Sequence, residues 1–418
     1  MTMNTLSVKA LSKNIDETIQ LTGSKSESNR ALIIRALSEG KVNIKNLSEA
    51  ADTVTLEAAL TSAEQNAAEQ ESIIDIGPAG TAMRFLTAYL PLAKGSFILT
   101  GSERMKQRPI GILSGAMQQL GAFIDFAGEQ GYPPLHIQGG FQQKRSEIDI
   151  QGDVSSQYIS ALLLIASALP QGLKLNIVGE LTSRPYVEMT LAMLAEAGIE
   201  HQWNGQQITV APQQARESEL YIEPDWSAAS YWYAIAALSE SASIRLPGLR
   251  PHSLQGDQAI SDIMLDLGVV TLFTEEGLTL TKIEHRSVKD VYDFKSCPDL
   301  AQTVVACCAA LGIETSFTGL ETLKIKETDR ILALQNELAK FGVKLYESES
   351  GVYRLDCSGK FTHERLQIKT YEDHRMDMAF APLALVFDGL LIEEPEVVEK
   401  SYPLFWEHLE KVNFKTEQ

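Results

Sequence analysis

Cations recur in this sequence where turns lead into apolar segments. Lys25 and Arg30 lie at the start of one such segment. Arg84 follows the turn GPAGT, and Arg108 precedes the next apolar segment. Backbone N–H groups at a helix start favour an anion, and a cation there is unfavourable unless a negative group lies nearby. We therefore expect several helix starts to form a site for a ligand with several negative groups.

More cations follow in the second half of the chain. Lys326 and Arg330 are four residues apart in KETDR, so they share one face if this segment is helical. Arg375 opens a predicted apolar helix, and Lys400 lies in the motif VEKSYP. A single Lys or Arg near a helix end is more often a surface charge or one half of an ion pair. The joint pattern is what predicts the anion site.

Nearby acidic residues also have purely structural interpretations. Pro298 and Asp299 fit the first turn of a helix, because proline is tolerated there and an acid complements the helix dipole. Glu327 could simply pair with Lys326 or Arg330. The spacing of these residues leaves both interpretations open.

Composition limits the class of protein. The 418 residues carry a formal net charge of −19, with 44% hydrophobic and 22% charged residues. This length predicts two or more domains, and the charge argues against nucleic acid or an anionic membrane as main partner. The four cysteines have no metal-ligand spacing and indicate buried thiols in a reducing compartment. With no visible export signal and no apolar run near the roughly 20 residues of a membrane span, we expect a cytoplasmic protein.

Two kinds of helix are expected to position the cations. Six apolar segments with small residues and almost no internal charge, such as GTAMRFLTAYL, are typical of buried helices. Between them lie amphipathic helices that end at glycine before a strand, as in IGILSGAMQQLGAFIDF. An ordinary doubly wound sheet would have apolar strands and amphipathic helices instead. The sequence therefore predicts an α/β repeat architecture with buried helices.

Ten motifs resemble one enzyme family, the 5-enolpyruvylshikimate 3-phosphate synthases, in order and over nearly the whole chain. They are GSKSESNRAL, AGTAMR, RMKQRPIG, DVSSQY, SRPY, QGD, PDLAQT, KETDR, EDHRMDM and VEKSYP. The resemblance implies an α/β fold, the two-domain inside-out α/β barrel (enolpyruvyl transferase fold) with six βαβαββ repeats and buried helices. It implies one inserted domain, 24–245, and one discontinuous domain, 1–23 plus 246–418. Each would hold three repeats, with the active site in the interdomain cleft.

The resemblance also implies a reaction. The enolpyruvyl group of phosphoenolpyruvate would pass to the 5-hydroxyl of shikimate 3-phosphate, releasing phosphate through a tetrahedral intermediate. This step belongs to the shikimate pathway of chorismate and aromatic amino acid biosynthesis. Both substrates carry a phosphate and a carboxylate, which would explain the cations. We expect the enzyme to need no metal or organic cofactor, to have no nucleic-acid or membrane partner, and to be a monomer.

The family's functional residues transfer onto this chain position by position. Implied contacts with shikimate 3-phosphate come from Lys25, Ser26, Arg30, Ser155, Ser156, Gln157, Ser183, Asp299 and Lys326. Implied contacts with phosphoenolpyruvate come from Lys25, Gly80, Arg108, Gln157, Arg330, Arg375 and Lys400. Asp299 is the implied base for the 5-hydroxyl. The implied proton donor to the phosphoenolpyruvate methylene is either Glu327 or Lys25.

Three positions bear on how closely the chain follows the family pattern. Pro78 stands where many members have Asn, two residues before Gly80, and Thr322 stands where some have Asn. Gly80 itself matches the family, and the missing side chain there leaves room for glyphosate. The resemblance therefore predicts a glyphosate-sensitive enzyme.

Two alternatives compete with this assignment. The related UDP-N-acetylglucosamine enolpyruvyl transferases typically use a loop cysteine, but the matching loop here, GSERMKQRPIG, contains none. A non-catalytic anion-binding relative would be expected to lack the acid or base, yet Asp299 and Glu327 are both present within their motifs.

Overall fold

A computed structural model of the chain describes residues 4–65, 71–285, 287–362 and 365–418. The α-helices are α1 (Lys25–Leu37), α2 (Ala51–Gln65), α3 (Gly80–Tyr89), α4 (Glu103–Lys106), α5 (Gly111–Leu120), α6 (Ser156–Ala166), α7 (Arg184–Glu196), α8 (Trp226–Leu238), α9 (Ile260–Asp266), α10 (Ala301–Leu311), α11 (Arg330–Ala339), α12 (His374–Phe380) and α13 (Phe405–Lys411). Short 3₁₀ helices lie at Leu90–Leu92, Gly256–Ala259, Pro298–Leu300, Glu321–Ile325, Ala381–Leu385 and Pro395–Lys400.

The strands are short and lie between these helices. They are β1 (Thr5–Ala10), β2 (Asn14–Thr18), β3 (Val42–Lys45), β4 (Glu71–Asp75), β5 (Ser96–Thr100), β6 (Phe123–Phe126), β7 (Leu135–Gln138), β8 (Glu147–Gln151), β9 (Leu173–Val178), β10 (His201–Asn204), β11 (Gln207–Val210), β12 (Ser218–Tyr221), β13 (Ser241–Pro247), β14 (Val269–Phe273), β15 (Gly277–Lys282), β16 (Val291–Asp293), β17 (Ser316–Thr318), β18 (Lys344–Glu349), β19 (Val352–Asp356), β20 (Leu366–Ile368), β21 (Leu390–Glu393) and β22 (Phe414–Glu417).

The chain divides into two compact units. The inserted unit is Gly23–Ile222, and the discontinuous unit joins Met1–Thr22 to Glu223–Gln418. The second boundary of this division, between Ile222 and Glu223, lies earlier in the chain than the boundary expected between residues 245 and 246. The reason is packing: β13 pairs in parallel with β2, and α8 shares a hydrophobic core with Leu6 and Ile15. Both elements belong to the discontinuous unit.

Sheet topology repeats within both units. In the sheet β4-β5-β7-β6, the first two strands are parallel and the remaining pairs are antiparallel. Helices connect β4 to β5 and β5 to β6, so the chain order is the predicted βαβαββ repeat. Four further sheets share this topology, namely β8-β9-β11-β10, β2-β13-β15-β14, β16-β17-β19-β18 and β20-β21-β1-β22. Parallel strands β12 and β3 form the sixth sheet in the described residues.

The two predicted kinds of helix are both present. In α8 every residue except Ser227 is buried, so the helix is surrounded by protein on nearly all sides. In α11 the buried residues fall on one face, and Leu332 on the other face is 52% exposed. The buried helices α1, α6, α8 and α12 each begin at a Ser or Asp whose side chain caps the first turn. Within the described residues, none of the helices combines the length and apolar character needed to cross a bilayer.

Candidate active site

Helix α1 begins where the sequence places its first cation. The Ser24 hydroxyl caps this helix by accepting a hydrogen bond from the Glu27 N–H at 3.5 Å, which makes Lys25 and Ser26 its first residues. Lys25 is offset by a carboxylate of the same unit, since its Nζ lies 3.2 Å from Asp52 Oδ2. No motif indicates Asp52 as this partner, because only the fold brings it next to α1.

Arg30 connects three helices of the inserted unit. It is 2% exposed. Its guanidinium donates to Thr190 Oγ1 at 2.8 Å, Ser160 Oγ at 3.1 Å, and the carbonyls of Ser26 and Tyr186 at 2.8 and 3.2 Å. Burial lowers the pKa of Arg30 to about 10, so the side chain stays charged at neutral pH. Besides its predicted contact with a ligand carboxylate, Arg30 therefore joins α1 to α6 and α7.

The starts of α6 and α3 lie next to each other. The Ser155 hydroxyl caps α6 by accepting from the Gln157 N–H at 3.3 Å, and Ser156 is the first helical residue. The Gln157 side chain donates through Nε2 to Thr81 Oγ1 at 3.2 Å. Because Thr81 follows Gly80, this bond brings predicted ligands from two motifs together at adjacent helix N-termini.

Gly80 lies against the guanidinium of Arg108. A Cβ atom at position 80 would be 2.6 Å from Arg108 Nη1, closer than van der Waals contact allows. Arg84 holds the same region by donating to the Gly80 carbonyl at 3.2 Å and to the Pro109 carbonyl at 3.2 Å. The absence of a side chain at Gly80 therefore leaves room for the Arg108 guanidinium. Arg84 holds the two backbone segments that carry these residues, through the Gly80 and Pro109 carbonyls.

Ser183 precedes α7 in an unusual backbone conformation. Its φ of 52° lies in the left-handed region, which residues with a Cβ rarely adopt. Its side chain makes no capping hydrogen bond to α7, and Ser183 is 9% exposed. The hydroxyl is thus not used to cap its own helix.

In the discontinuous unit, Arg330 binds three carboxylates. Its Nε lies 2.7 Å from Asp373 Oδ2, Nη1 lies 3.1 Å from Asp299 Oδ1, and Nη2 lies 3.1 Å from Glu327 Oε2. Burial alone would lower the pKa of Arg330, but the three carboxylates outweigh burial and raise that pKa. Arg330 is therefore a permanent cation at the centre of this cluster.

Arg375 and Lys400 extend the cluster. Arg375 Nη2 lies 2.9 Å from Asp299 Oδ2, and Lys400 Nζ lies 3.1 Å from Glu327 Oε1. Together with Arg330, five of the residues predicted for this unit form one connected ion-pair network. Each of the two proposed acid–base carboxylates therefore contacts two cations.

Lys326 and Arg330 would share one face only if KETDR were helical throughout, and that condition is not met. Helix α11 begins only at Arg330, because the Asp329 side chain caps it by accepting from the N–H groups of Ile331 and Leu332. Lys326 instead follows the 3₁₀ helix Glu321–Ile325 with a ψ of −152°. Lys326 and Arg330 therefore do not share a helical face.

Two aspartates at this cluster were not among the predicted site residues. Asp373 caps α12 by accepting from the Arg375 N–H at 2.9 Å, and an Asp before an apolar helix is a recognisable cap signal. Asp257 accepts a hydrogen bond from Ser227, whose Oγ lies 3.4 Å from Arg375 Nη2. Burial raises the pKa of Asp257 to about 7, and the nearby negative charge of Asp299 is the second largest cause of this shift. Asp257 lies in the motif QGD, but its charge state depends on contacts that the sequence does not reveal.

Comparison with known proteins decides the family. The family model for EPSP synthase (3-phosphoshikimate 1-carboxyvinyltransferase) matches residues 10–409. The chain belongs to the EPSP synthase family. A 3-phosphoshikimate 1-carboxyvinyltransferase from Bacteroides fragilis strain YCH46 is 48% identical over 401 residues, covering 96% of each chain. A protein of the same name from Pectobacterium atrosepticum is 36% identical over 425 residues, covering 96% of this chain and 97% of the relative.

Solved structures show the same fold. An EPSP synthase from Acinetobacter baumannii aligns with a TM-score of 0.76 at 21% identity, covering 99% of this chain and 100% of that chain. The enolpyruvyl transferase NikO from Streptomyces tendae aligns with a TM-score of 0.72 at 14% identity, covering 99% of each chain. The predicted inside-out α/β fold is confirmed. EPSP synthases are transferases, and the comparisons favour this family over the UDP-N-acetylglucosamine enzymes.

Proposed function

We propose that this chain transfers the enolpyruvyl group of phosphoenolpyruvate to the 5-hydroxyl of shikimate 3-phosphate, releasing phosphate. The product is 5-enolpyruvylshikimate 3-phosphate. The observation that carries the proposal is the ion-pair network of the discontinuous unit, in which Asp299 and Glu327 are each bound by two cations. Family membership supports the assignment of this network to the EPSP synthase reaction.

Asp299 is the proposed base. Arg330 and Arg375 bind its two carboxylate oxygens separately, and two adjacent guanidinium groups favour the ionised form. An ionised carboxylate can accept the proton of the 5-hydroxyl as its oxygen attacks C2 of phosphoenolpyruvate. A positioned base of this kind typically contributes about 10²–10⁴-fold to the rate.

The proton for C3 of phosphoenolpyruvate comes from Glu327 or Lys25. Glu327 lies between Arg330 and Lys400. An anionic substrate bound to these cations adds negative charge beside Glu327 and favours its protonated, donating form. Lys25 is the second candidate and contacts Asp52. The tetrahedral intermediate then loses a proton from its new methyl group and expels phosphate, so one C–O bond forms and one breaks.

The inserted unit contains most of the residues assigned to shikimate 3-phosphate. Hydroxyls and helix N-termini suit a phosphate because both donate hydrogen bonds without adding bulk. In this assignment the phosphate is bound by Ser155, Ser156 and Ser183. The carboxylate of shikimate 3-phosphate is bound by Ser26 and Arg30. Gln157 lies between the two substrates, and Lys25, Asp299 and Lys326 complete the contacts.

Phosphoenolpyruvate is bound mainly by arginines in this proposal. A guanidinium can donate two parallel hydrogen bonds to a carboxylate or phosphate, which fixes orientation as well as charge. The assigned contacts are Arg108, the Gly80 backbone, Arg330, Arg375 and Lys400. Lys25 and Gln157 contact both substrates.

The setting of the enzyme belongs to the same proposal. The reaction needs proton transfer and charge stabilisation, which these side chains supply without a metal or organic cofactor. The net charge of −19 disfavours nucleic acid and anionic membranes as partners. We place the enzyme in the cytoplasm as a monomer.

Phosphate release tests the function directly. Purified protein is mixed with phosphoenolpyruvate plus either shikimate 3-phosphate or UDP-N-acetylglucosamine. We expect release only with shikimate 3-phosphate and its loss in Asp299→Ala. Asp16→Ala is the matched control, because Asp16 also pairs with an arginine at 2.8 Å but its side chain is 75% exposed. Release only with the nucleotide sugar, or with neither acceptor, would overturn the proposal.

A further inference from the structure

A strained turn leads directly into the start of α12, the helix that carries Arg375. Tyr371 and Glu372 have φ values of 58° and 55°, so two consecutive residues with side chains occupy the left-handed region. The Asp373 N–H closes this turn on the Thr370 carbonyl at 3.0 Å. Such a backbone persists only where surrounding contacts hold it. We call residues Thr370–Asp373 the left-handed turn.

Glu337 on α11 holds the start of this turn. It is fully buried, and its Oε1 accepts from the Tyr371 hydroxyl at 2.8 Å. Its Oε2 accepts from the Lys369 N–H at 3.0 Å and lies 2.5 Å from Lys340 Nζ. Burial and the Glu337 carboxylate raise the pKa of Tyr371 to about 12, so its phenol stays a hydrogen-bond donor.

Arg330 on the same helix holds the end of the turn. Its Nε and Nη2 donate to the Asp373 carboxylate at 2.7 and 3.3 Å. Arg330 and Glu337 are seven residues apart, which is close to two helical turns and places both on one face of α11. Asp373 in turn accepts from the Arg375 N–H at 2.9 Å. Helix α11 thus clamps the segment that carries Arg375.

We propose that Glu337 is a positioning residue that holds the left-handed turn so that Asp373 and Arg375 stay aligned for phosphoenolpyruvate. This inference rests on the proposed function, in which Arg375 binds that substrate. Glu337 itself touches neither substrate in this account. It acts through Lys369 and Tyr371, and the relevant effect is therefore on binding of one substrate rather than on both.

The test uses three variants of the full chain. Glu337→Gln replaces the carboxylate that accepts hydrogen bonds from the Lys369 N–H and the Tyr371 hydroxyl with a neutral amide. Tyr371→Phe removes only the second of these two hydrogen bonds. The double variant Glu337→Gln/Glu372→Gly relieves the backbone strain at position 372, since glycine adopts positive φ freely. It does not restore the contacts made by the Glu337 carboxylate. Tyr292→Phe is the matched control, because its hydroxyl also donates to a carboxylate, Asp266 Oδ2 at 3.1 Å, away from the turn.

We expect the KM for phosphoenolpyruvate to rise about tenfold in Glu337→Gln, as for loss of a hydrogen bond to a charged group. The rise is smaller in Tyr371→Phe. The KM for shikimate 3-phosphate stays within about twofold of the wild-type value in both single variants. Adding Glu372→Gly to Glu337→Gln brings the KM for phosphoenolpyruvate most of the way back to the wild-type value. Tyr292→Phe leaves both KM values unchanged. Equal rises in both KM values, or no recovery in the double variant, would overturn the proposal.

Hydrogen exchange separates this proposal from the proposed function. Amide exchange at residues 369–375 should speed up in Glu337→Gln and slow again when Glu372→Gly is added. This readout needs no turnover. If the wild-type protein has no transferase activity but the exchange pattern appears, the proposed function fails and the clamp stands. Unchanged exchange in Glu337→Gln contradicts the clamp whatever the activity.

Discussion

Asp299 and Arg330 form a salt bridge of 3.1 Å in which the proposed base neutralises a cation predicted to bind phosphoenolpyruvate. The guanidinium of Arg330 also binds Asp373 and Glu327, so carboxylates of its own unit already engage its Nε, Nη1 and Nη2 atoms. The charges of this network are therefore already paired. Under the proposed mechanism, Asp299 competes with phosphoenolpyruvate for Arg330 and also serves as the base for the 5-hydroxyl of shikimate 3-phosphate.

This competition predicts a split effect for Asp299→Asn. The amide cannot accept the hydroxyl proton, so kcat should fall by about 10²–10⁴-fold. The KM for phosphoenolpyruvate should not rise, because Arg330 and Arg375 each lose a competing negative charge. Steady-state kinetics with both substrates varied measures the two effects together. A large rise in that KM with kcat preserved would contradict the assignment of Asp299 as base.

Gly80→Ala should displace Arg108. The new Cβ would meet Nη1 at 2.6 Å, and the end of a flexible side chain can move away at little cost in stability. We expect the KM for phosphoenolpyruvate to rise about tenfold through a weakened charged contact. Gly115→Ala is the control, because a Cβ there meets no atom within 4 Å and alanine suits a helix. Equal KM values in both variants would show that Arg108 does not contact this substrate.

The same variant bears on inhibition. The wild-type enzyme is predicted to be inhibited by glyphosate in competition with phosphoenolpyruvate, and Gly80→Ala to be less sensitive. Inhibition assays at low phosphoenolpyruvate measure both. Full wild-type activity at millimolar glyphosate would contradict the prediction.

Asp257→Asn should change how stability depends on pH. Burial and the charge of Asp299 raise the pKa of Asp257 from the ordinary aspartate value of 3.8 to about 7. Between these values the folded state keeps a proton that the unfolded state has released, so wild-type stability falls as pH rises from about 4 to 7. Asp257→Asn has no titrating carboxyl at this position, so this fall in stability is absent from the variant. Urea unfolding at pH 5 and pH 8 should show the variant gaining about 2–4 kcal/mol on the wild type. Parallel changes in both proteins would mean that Asp257 is ionised throughout.

Arg30→Lys should destabilise the inserted unit. Lysine cannot replace the bonds to Thr190, Ser160 and the Tyr186 carbonyl at once, and buried polar atoms would lose their partner. We expect a loss of about 2–4 kcal/mol in the free energy of unfolding. Arg35→Lys on the same helix is the control, since its pair with Glu57 is about 40% exposed and typically contributes about 0–1 kcal/mol. Similar losses in both variants would contradict the role of Arg30 in joining the helices.

Local signals explain which parts of this site the sequence could predict. Ser24, Ser155 and Asp329 cap their helices through bonds two or three residues along the chain, so the positions of the first helical residues follow from short-range chemistry. The alternation of buried and amphipathic helices likewise follows from local hydrophobic patterning. The helix starts and the alternation of the two kinds of helix were therefore predictable from local patterns, whereas the βαβαββ order came from the family resemblance.

Contacts between distant segments were not predictable from one sequence. Lys25 meets Asp52, and Glu337 meets Tyr371, through packing that no local spacing encodes. The pairing of β13 with β2, more than two hundred residues earlier, is a further contact of this kind.

The central claim is that the Asp299 cluster joins the two substrates in one reaction. The most direct measurement is NMR of the products formed from phosphoenolpyruvate and shikimate 3-phosphate by the wild-type protein and Asp299→Asn. The account predicts an enol ether of shikimate 3-phosphate and inorganic phosphate in equal amounts with the wild type, and neither with the variant on the same time scale. Phosphate accompanied by pyruvate instead of the enol ether, or equal product from both proteins, would contradict it.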